Sequence, residues 1–320
     1  MTIDGSRSVD SAATVGSPSP AAVGVPSFAG PDAAALATIA RLRRRRLVFD
    51  LVRHALLIVA TFGMLYPLLW MVASSFKPET MIFTDLSIWP HSLDPTNYVT
   101  GWTALQESFT TFFRNSIVVA VLVVIGNTLS CSITAYAFAR LEFRGRKVLF
   151  AVMLMTLMLP YHVTLIPQYV LFQNLGWVDT FLPLTVPKFM AVDAFFIFLM
   201  VQFFRGIPRE LDEAAVLDGC GPWRIYWKII LPLSLPVLAT TAIFSFLWTW
   251  NDFIGPLVYL NDSAHYTVPL ALRSFVDATG QSNWGQLFAM SVLALAPIFL
   301  FFLCFQRLII EGVAHAGMKR

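Results

Sequence analysis

Charge is scarce in this chain. Asp, Glu, Lys and Arg supply 13% of its 320 residues, against 57% apolar residues, and the mean hydropathy is +0.68. Ordinary soluble domains carry about 25% charged residues, so this composition excludes that class and points to a protein that crosses a membrane several times. Cysteine is nearly absent. Cys131, Cys220 and Cys304 are far apart, two of them lie in apolar runs and no CxxC occurs, so free thiols are expected rather than disulfides or a zinc site. The five histidines are scattered, and no His, Cys, Asp or Glu group has metal-ligand spacing. The chain also lacks a GxxxxGK[ST] phosphate loop. It therefore does not hold ATP by that route, and energy for any transport must come from another subunit or an ion gradient. No nucleophile–base pair stands out, so no catalytic residue and no enzymatic activity are expected. Residues 1–40, rich in Ser, Ala, Gly, Pro and Val, lack both a basic-then-apolar opening and sustained periodicity; they read as a disordered tail and not as a signal peptide.

What the chain does have is long apolar runs, each near the roughly 20 residues that span a bilayer. We expect six: Ala55–Phe76, Ser116–Ala139, Val148 to about Gln168 interrupted by Pro160 and Pro167, Phe181–Phe204, Leu233 to about Tyr259, and Trp284–Gln306. A basic segment, 41–54, precedes the first and opens Arg41-Leu42-Arg43-Arg44-Arg45-Arg46. Beside a span, such a cluster reads as a topology anchor rather than a nucleic-acid patch. The remaining Lys and Arg fall into two sets. Arg140, Arg144, Arg146 and Lys147 lie in one loop, Arg205, Arg209, Arg224 and Lys228 in another, and Arg307, Lys319 and Arg320 at the end. The opposite side has Lys77, Arg114 and Arg273. By the positive-inside rule the expected fold is an all-α membrane protein of six transmembrane helices, with N and C termini in the cytoplasm. The membrane domain covers 55–310 and a C-terminal tail covers 311–320.

One cytoplasmic loop, 205–230, is too ordered to be a plain connector. Pro208 suits a first helical turn, and Glu210, Asp212 and Glu213 follow where carboxylates favour the positive end of the helix dipole. Leu211, Ala214, Ala215 and Asp218 share a face by spacing, and Gly219 ends the helix as the residue that accepts a left-handed turn. Pro222 opens a second segment. Ala214 and Ala215 leave little side chain, so a partner surface can come close.

This order, Glu213-Ala214-Ala215, then Gly219 after three more residues, then Ile229-Ile230-Leu231-Pro232 after a further nine, resembles the EAA loop of bacterial ABC importer permeases. From about residue 50 onward the chain is similar to the maltose-type, carbohydrate-uptake branch. Ser75-Phe76-Lys77, Asn97-Tyr98, Asn115-Ser116, Ala135-Tyr136-Ala137-Phe138-Ala139-Arg140, Phe203-Phe204-Arg205-Gly206-Ile207-Pro208, Trp250-Asn251-Asp252 and Gln306-Arg307 with Gly312 all fit. The resemblance implies a multi-pass subunit of the bacterial inner membrane. It implies a second, related permease subunit, two ATP-binding subunits that hold the ATP and Mg, and an extracytoplasmic solute-binding protein. No cofactor is implied in this chain. Glu213, Ala214, Ala215, Asp218 and Gly219 would form the coupling helix that docks on the ATP-binding subunit, and import of a sugar would proceed by alternating access. Phe203, Phe204, Trp223, Ile225, Tyr226 and Trp227 are expected to pack the joint between that loop and spans four and five. Permeases for glycerol phosphodiesters or polyamines remain an alternative within the family, and an ion-coupled carrier one outside it.

Two further groups are candidates for the solute pathway. Lys188 and Asp193 lie inside the fourth apolar run, where a charge meeting lipid costs at least about 2.5 kcal/mol, so both should face protein or the pathway. Five residues apart on one helix is about 140° of rotation, so they are expected to be poor partners for each other. Trp248, Trp250, Asn251 and Asp252 close the fifth run. Indoles beside an amide and a carboxylate can stack on sugar rings and bond their hydroxyls, and Trp248 and Asp252 would share a helical face. The alternative is that the tryptophans anchor at the interface or against a partner, while Asn251 and Asp252 bond a neighbouring helix.

Overall fold

The computed structural model describes residues 33–89, 94–276 and 283–317, with side chains from 41 to 305. The expected tail 1–40 lies outside these residues except for its last part, where the backbone is already helical; the side chains of Arg307, Lys319 and Arg320 also lie outside. The chain divides into two compact units, 1–63 and 64–320. In the first, the described part is helix, with Arg41 to Arg46 all exposed.

Every element among the described residues is helical. In chain order the principal ones are α1 Ala33–Ser74, α2 Thr96–Trp102, α3 Phe109–Arg140, α4 Arg146–Thr156, α5 Tyr161–Asn174, α6 Leu182–Thr185 and α7 Ala194–Gly206. Then come α8 Glu210–Leu217, α9 Pro222–Ile225, α10 Leu231–Leu233, α11 Leu235–Trp250, α12 Ile254–Tyr259, α13 Val268–Arg273 and α14 Trp284–Gly317. Four stretches are long and apolar enough to cross a membrane: 41–74, 109–140, 182–206 and 284–305. Two further pairs pass the same test only as bent spans, α4 with α5 at 99° and the 222–233 segment with α11 at 77°.

Of the expected spans, the third is interrupted, as its prolines predict, and the fourth and fifth are corrected. The third bends between α4 and α5 at Pro160, which has no N–H to donate and pushes the preceding residue out of helical conformation. Pro167, by contrast, sits inside α5. The fourth is broken: a 3₁₀ turn, Val186–Met190, leads to Ala191 at φ +54° before α7 starts. The fifth helix stops at Trp250, because Asn251 leaves helical geometry at φ −93°, ψ 0° and a separate short helix follows.

The organising element is α3. Ser108 caps it by accepting the Thr110 N–H, and Leu141 closes it in extended conformation. Its buried side carries Ser116, Ala120, Gly126, Asn127, Cys131, Ser132, Ala135 and Ala139. Small side chains let neighbouring backbones come close, which is how helices pack where lipid offers no hydrophobic drive. α7 and α11 pack along this face. Polar groups tie it down as well. Asn127 Nδ2 donates to Ser245 Oγ on α11 (3.2 Å), and Asn115 Nδ2 donates to the Ala264 and Tyr266 carbonyls (2.8 and 3.0 Å). Ser116 Oγ accepts the Val268 N–H at 2.8 Å. Two apolar cores result. One joins Tyr136, Phe196, Met200, Phe204, Tyr226 and Ile230; the other joins Phe109, Phe112, Phe246, Trp250, Val268 and Met290.

Candidate functional site: the loop helix and the broken spans

The segment that carries Glu213 folds as α8, with Glu210, Asp212 and Glu213 in its first turn. Its end is a complete Schellman turn. The Cys220 N–H reaches the Ala215 carbonyl at 2.9 Å, the Gly219 N–H reaches Val216 at 3.0 Å, and Gly219 stands at φ +78°. An L-residue there meets no steric neighbour within 4 Å, so the demand for glycine is backbone conformation alone. The expected turn is thus present. The face is different from expectation. Ala215 is buried and Asp212 half-buried against the bundle, while Glu213, Ala214 and Asp218 are exposed. Val216 and Leu217, off the face that the spacing gives, are 60% and 89% exposed. An exposed leucine flanked by a carboxylate and a left-handed turn makes a small two-character surface.

Behind α8 the packing follows expectation in part. Phe204, Ile225 and Tyr226 are buried and Phe203 packs against them, but Trp223 and Trp227 are 62% and 49% exposed and flank the Tyr226 ring. A polar joint accompanies this packing. Arg140, at the end of α3, donates from Nη1 to Asp212 Oδ2 (3.0 Å) and from Nη2 to the Phe204 and Ile207 carbonyls (2.7 Å each). Tyr136 Oη donates to the Pro222 carbonyl at 3.0 Å, and Ser132 Oγ lies 2.7 Å from Tyr226 Oη. Their i, i+4, i+8 spacing was visible in the sequence; their partners, tens of residues away, were not.

At the break in the fourth span, Lys188 and Asp193 are partners, contrary to expectation. Lys188 Nζ stands 3.0 and 2.9 Å from the two carboxylate oxygens. A rotation of about 140° holds only on an unbroken helix; the 3₁₀ turn and left-handed Ala191 fold the two side chains together. α3 holds the break in place. Ser130 Oγ donates to the Lys188 carbonyl at 2.8 Å, and Gly126 lets Phe189 come so close that a Cβ there would lie 2.8 Å from its ring.

The four residues at the end of α11 separate. Trp250 is 3% exposed and its Nε1 donates to the Ala294 carbonyl at 3.1 Å. Trp248 is half exposed and packs on Phe195, Phe196 and Phe244. Asn251 is exposed and donates to the Leu247 carbonyl of its own helix (2.8 Å). Asp252, beyond the helix end, accepts the Gly255 N–H at 3.1 Å, so the shared face with Trp248 does not form.

Distance in sequence hid one more group. Asp179, Asp262 and His265 bring one ligand atom each within 4.8 Å of one another. The Asp179 carboxylate is already engaged: Oδ1 accepts the Asn261 and Asp262 N–H groups at 2.9 Å each, and His265 Nδ1 lies 3.4 Å away. The Asp262 N–H first, and then those of Asn261 and His265, hold the Asp179 carboxyl below the usual carboxylate range. The group reads as a staple between the 174–181 loop and the 260–266 loop.

A bundle of apolar, partly broken helices, four of them and two bent pairs long and apolar enough to cross a membrane, fits a multi-pass membrane protein. The profile described as "Binding-protein-dependent transport system inner membrane component" matches residues 126–315. Among relatives, "Probable ABC transporter permease protein YurM" of Bacillus subtilis is 35% identical over 79% of this chain and 83% of that protein. "Arabinooligosaccharides transport system permease protein AraQ" of Halalkalibacterium halodurans is 34% identical over 81% and 92%. A bacterial ABC transporter involved in import of the acidic polysaccharide alginate contains a chain with the same fold, at TM-score 0.73 and 24% identity over 82% of this chain and 97% of that one. The chain belongs to the family of binding-protein-dependent transport inner-membrane components: it is an ABC importer permease subunit of the bacterial inner membrane.

Proposed function

We propose that this permease takes up a sugar or oligosaccharide by alternating access, in six spans with both termini in the cytoplasm. In this reading it pairs with a second permease subunit. Two ATP-binding subunits, which hold ATP and Mg, engage from inside, and a solute-binding protein delivers from outside. The relative named for arabinooligosaccharide transport supports the sugar class. The observation that carries the coupling role is the exposed tip of α8, where Glu213, Ala214, Asp218 and Leu217 stand free beside the left-handed Gly219. Glu213 supplies a charge for a basic residue, Leu217 an apolar contact, and Ala214 room for close approach. Lys188 with Asp193, and Trp248 with Asn251 and Asp252, are assigned to the solute path.

The experiment is purification of the chain with its copurifying subunits, followed by ATP hydrolysis in lipid over a panel of maltose, trehalose, arabinotriose, a glycerol phosphodiester and a polyamine. Stimulation by at least one sugar supports the reading; stimulation by the phosphodiester or polyamine alone overturns its sugar part. Glu213→Ala and Gly219→Asp test the loop. Wild-type retention of the ATP-binding subunits and wild-type hydrolysis in both would overturn the coupling role.

A further inference from the structure

We propose that Ser132, Tyr136 and Arg140 form a ladder that makes the second span, and not only the fourth and fifth, part of the lever moved by the coupling helix, with Arg140 as its positioning residue. The inference rests on the reading of α8 as the coupling helix.

The three residues lie at i, i+4 and i+8 on one face of α3, a stripe about 12 Å long. Each rung ends on a different part of the loop. Arg140 holds Asp212 in α8, before Gly219, and Tyr136 and Ser132 hold Pro222 and Tyr226, after it. The Ser132 hydroxyl has one proton and donates it to the Leu129 carbonyl at 2.9 Å, so Tyr226 is the donor to Ser132. The Gly219 turn is thus clamped on both flanks by one helix.

Arg140 does more than pair a charge. Its side chain is 3% exposed, and its planar fork fixes three acceptors at once: the Asp212 carboxylate and the carbonyls of Phe204 and Ile207 at the end of α7. Those acceptors belong to the fourth span and to α8, so the guanidinium sets the angle among three elements. A displacement of α8 then reaches α3 through a charge-assisted contact at its very end, without first bending α7. Because α3 runs unbroken from Arg140 to Phe109, it carries the displacement to the far end of the bundle, where Asn115 and Ser116 hold the 264–268 segment.

The test uses the whole complex in nanodiscs and follows deuterium uptake in residues 109–124 with and without Mg-ATP and vanadate, which needs no solute. In the wild type the nucleotide changes uptake there. Arg140→Gln, with the ATP-binding subunits still bound and hydrolysing, cuts that change at least threefold. Arg140→Lys, which keeps the charge but not the fork, restores part of it. A wild-type complex with no nucleotide response in 109–124, or a full response in Arg140→Gln, overturns the proposal. Where Arg140→Gln sheds the ATP-binding subunits, Tyr136→Phe combined with Tyr226→Phe decides: a twofold or greater fall supports the ladder, and an unchanged response overturns it. Leu217→Asp, on the opposite side of α8, keeps the two readings apart. Undiminished binding of the ATP-binding subunits in that variant counts against the docking role of α8, whatever the ladder variants do.

Discussion

Lys188 and Asp193 face each other across a break in the fourth span, the ammonium 2.9 and 3.0 Å from the two carboxylate oxygens. About a third and a quarter of the two side chains is exposed, so the pair is neither dry nor free in water. Its two charges cancel where the bilayer tolerates neither alone.

Removing one partner should therefore be worse than removing both. Lys188→Met or Asp193→Leu leaves an uncompensated charge inside the membrane domain, and we expect a loss of about 2 kcal/mol or more, read as a lower melting temperature of the complex. The double variant should recover most of that loss. If its stability is restored but transport stays lost, the pair serves the solute path; recovery of both assigns it to holding the break. Single variants as stable as the wild type would show that the pair contributes nothing.

The family, the Gly219 turn and the interruption of the third span were legible in the sequence, whereas the break in the fourth span was not, and the difference has a physical basis. Gly219 and Pro222 announce a turn through backbone demands that few other residues meet, so local spacing was enough to place them. Hydropathy averages over a window and reports that a stretch is apolar, not that it is straight; the 3₁₀ turn before Ala191 leaves the average unchanged. From sequence Arg140 reads as a topology charge, because nothing near it names Asp212 as its partner, 72 residues away.

Gly126 offers a second test of the break. A Cβ there would lie 2.8 Å from the Phe189 ring, and that ring closes the 3₁₀ turn against α3. Gly126→Ala should destabilise by about 1–3 kcal/mol through overpacking. Adding Phe189→Leu should relieve part of it, and thermal melting of the two variants side by side measures the relief. Equal losses in the single and double variants would mean that the clash is absorbed elsewhere.

The segment after α1 yields a prediction about pH. Lys77 is buried, and its Nζ donates to the Asp85 and Ser87 carbonyls at 2.6 and 2.8 Å while lying 3.4 Å from the Asp85 carboxylate. Hydrogen bonds from Ser87 first, and then Lys77, bring the Asp85 carboxyl down to about 2. A lowered carboxyl favours the folded loop above the ordinary carboxylate range and loses that contribution as pH falls through about 2. Pepsin cleavage within residues 77–89 should thus be slow at about pH 4, the ordinary carboxylate value, and rise as pH falls further. In Asp85→Asn it should be faster at pH 4 and nearly flat below. A flat profile in the wild type would assign the loop's order to Lys77 and its carbonyls alone.

The two tryptophans at the end of α11 should behave as different kinds of residue. Trp250 is enclosed by Phe113 and Phe246 and spends its only donor on the Ala294 carbonyl, so it ties α11 to α14. Trp250→Phe keeps the ring and loses that bond, leaving a buried carbonyl with one partner fewer, and we expect about 1 kcal/mol of lost stability. Uptake should then fall by the same factor for every sugar. Trp248 presents about half its surface beside Asn251, the geometry that a sugar face and its hydroxyls can use. Trp248→Ala should cost less stability than a fully buried tryptophan would, and should shift the order of preference among maltose, trehalose and arabinotriose in uptake and in stimulated ATP hydrolysis. A uniform fall in Trp248→Ala as well would make both indoles scaffold, and would leave Lys188 and Asp193 as the remaining polar pair assigned to the path.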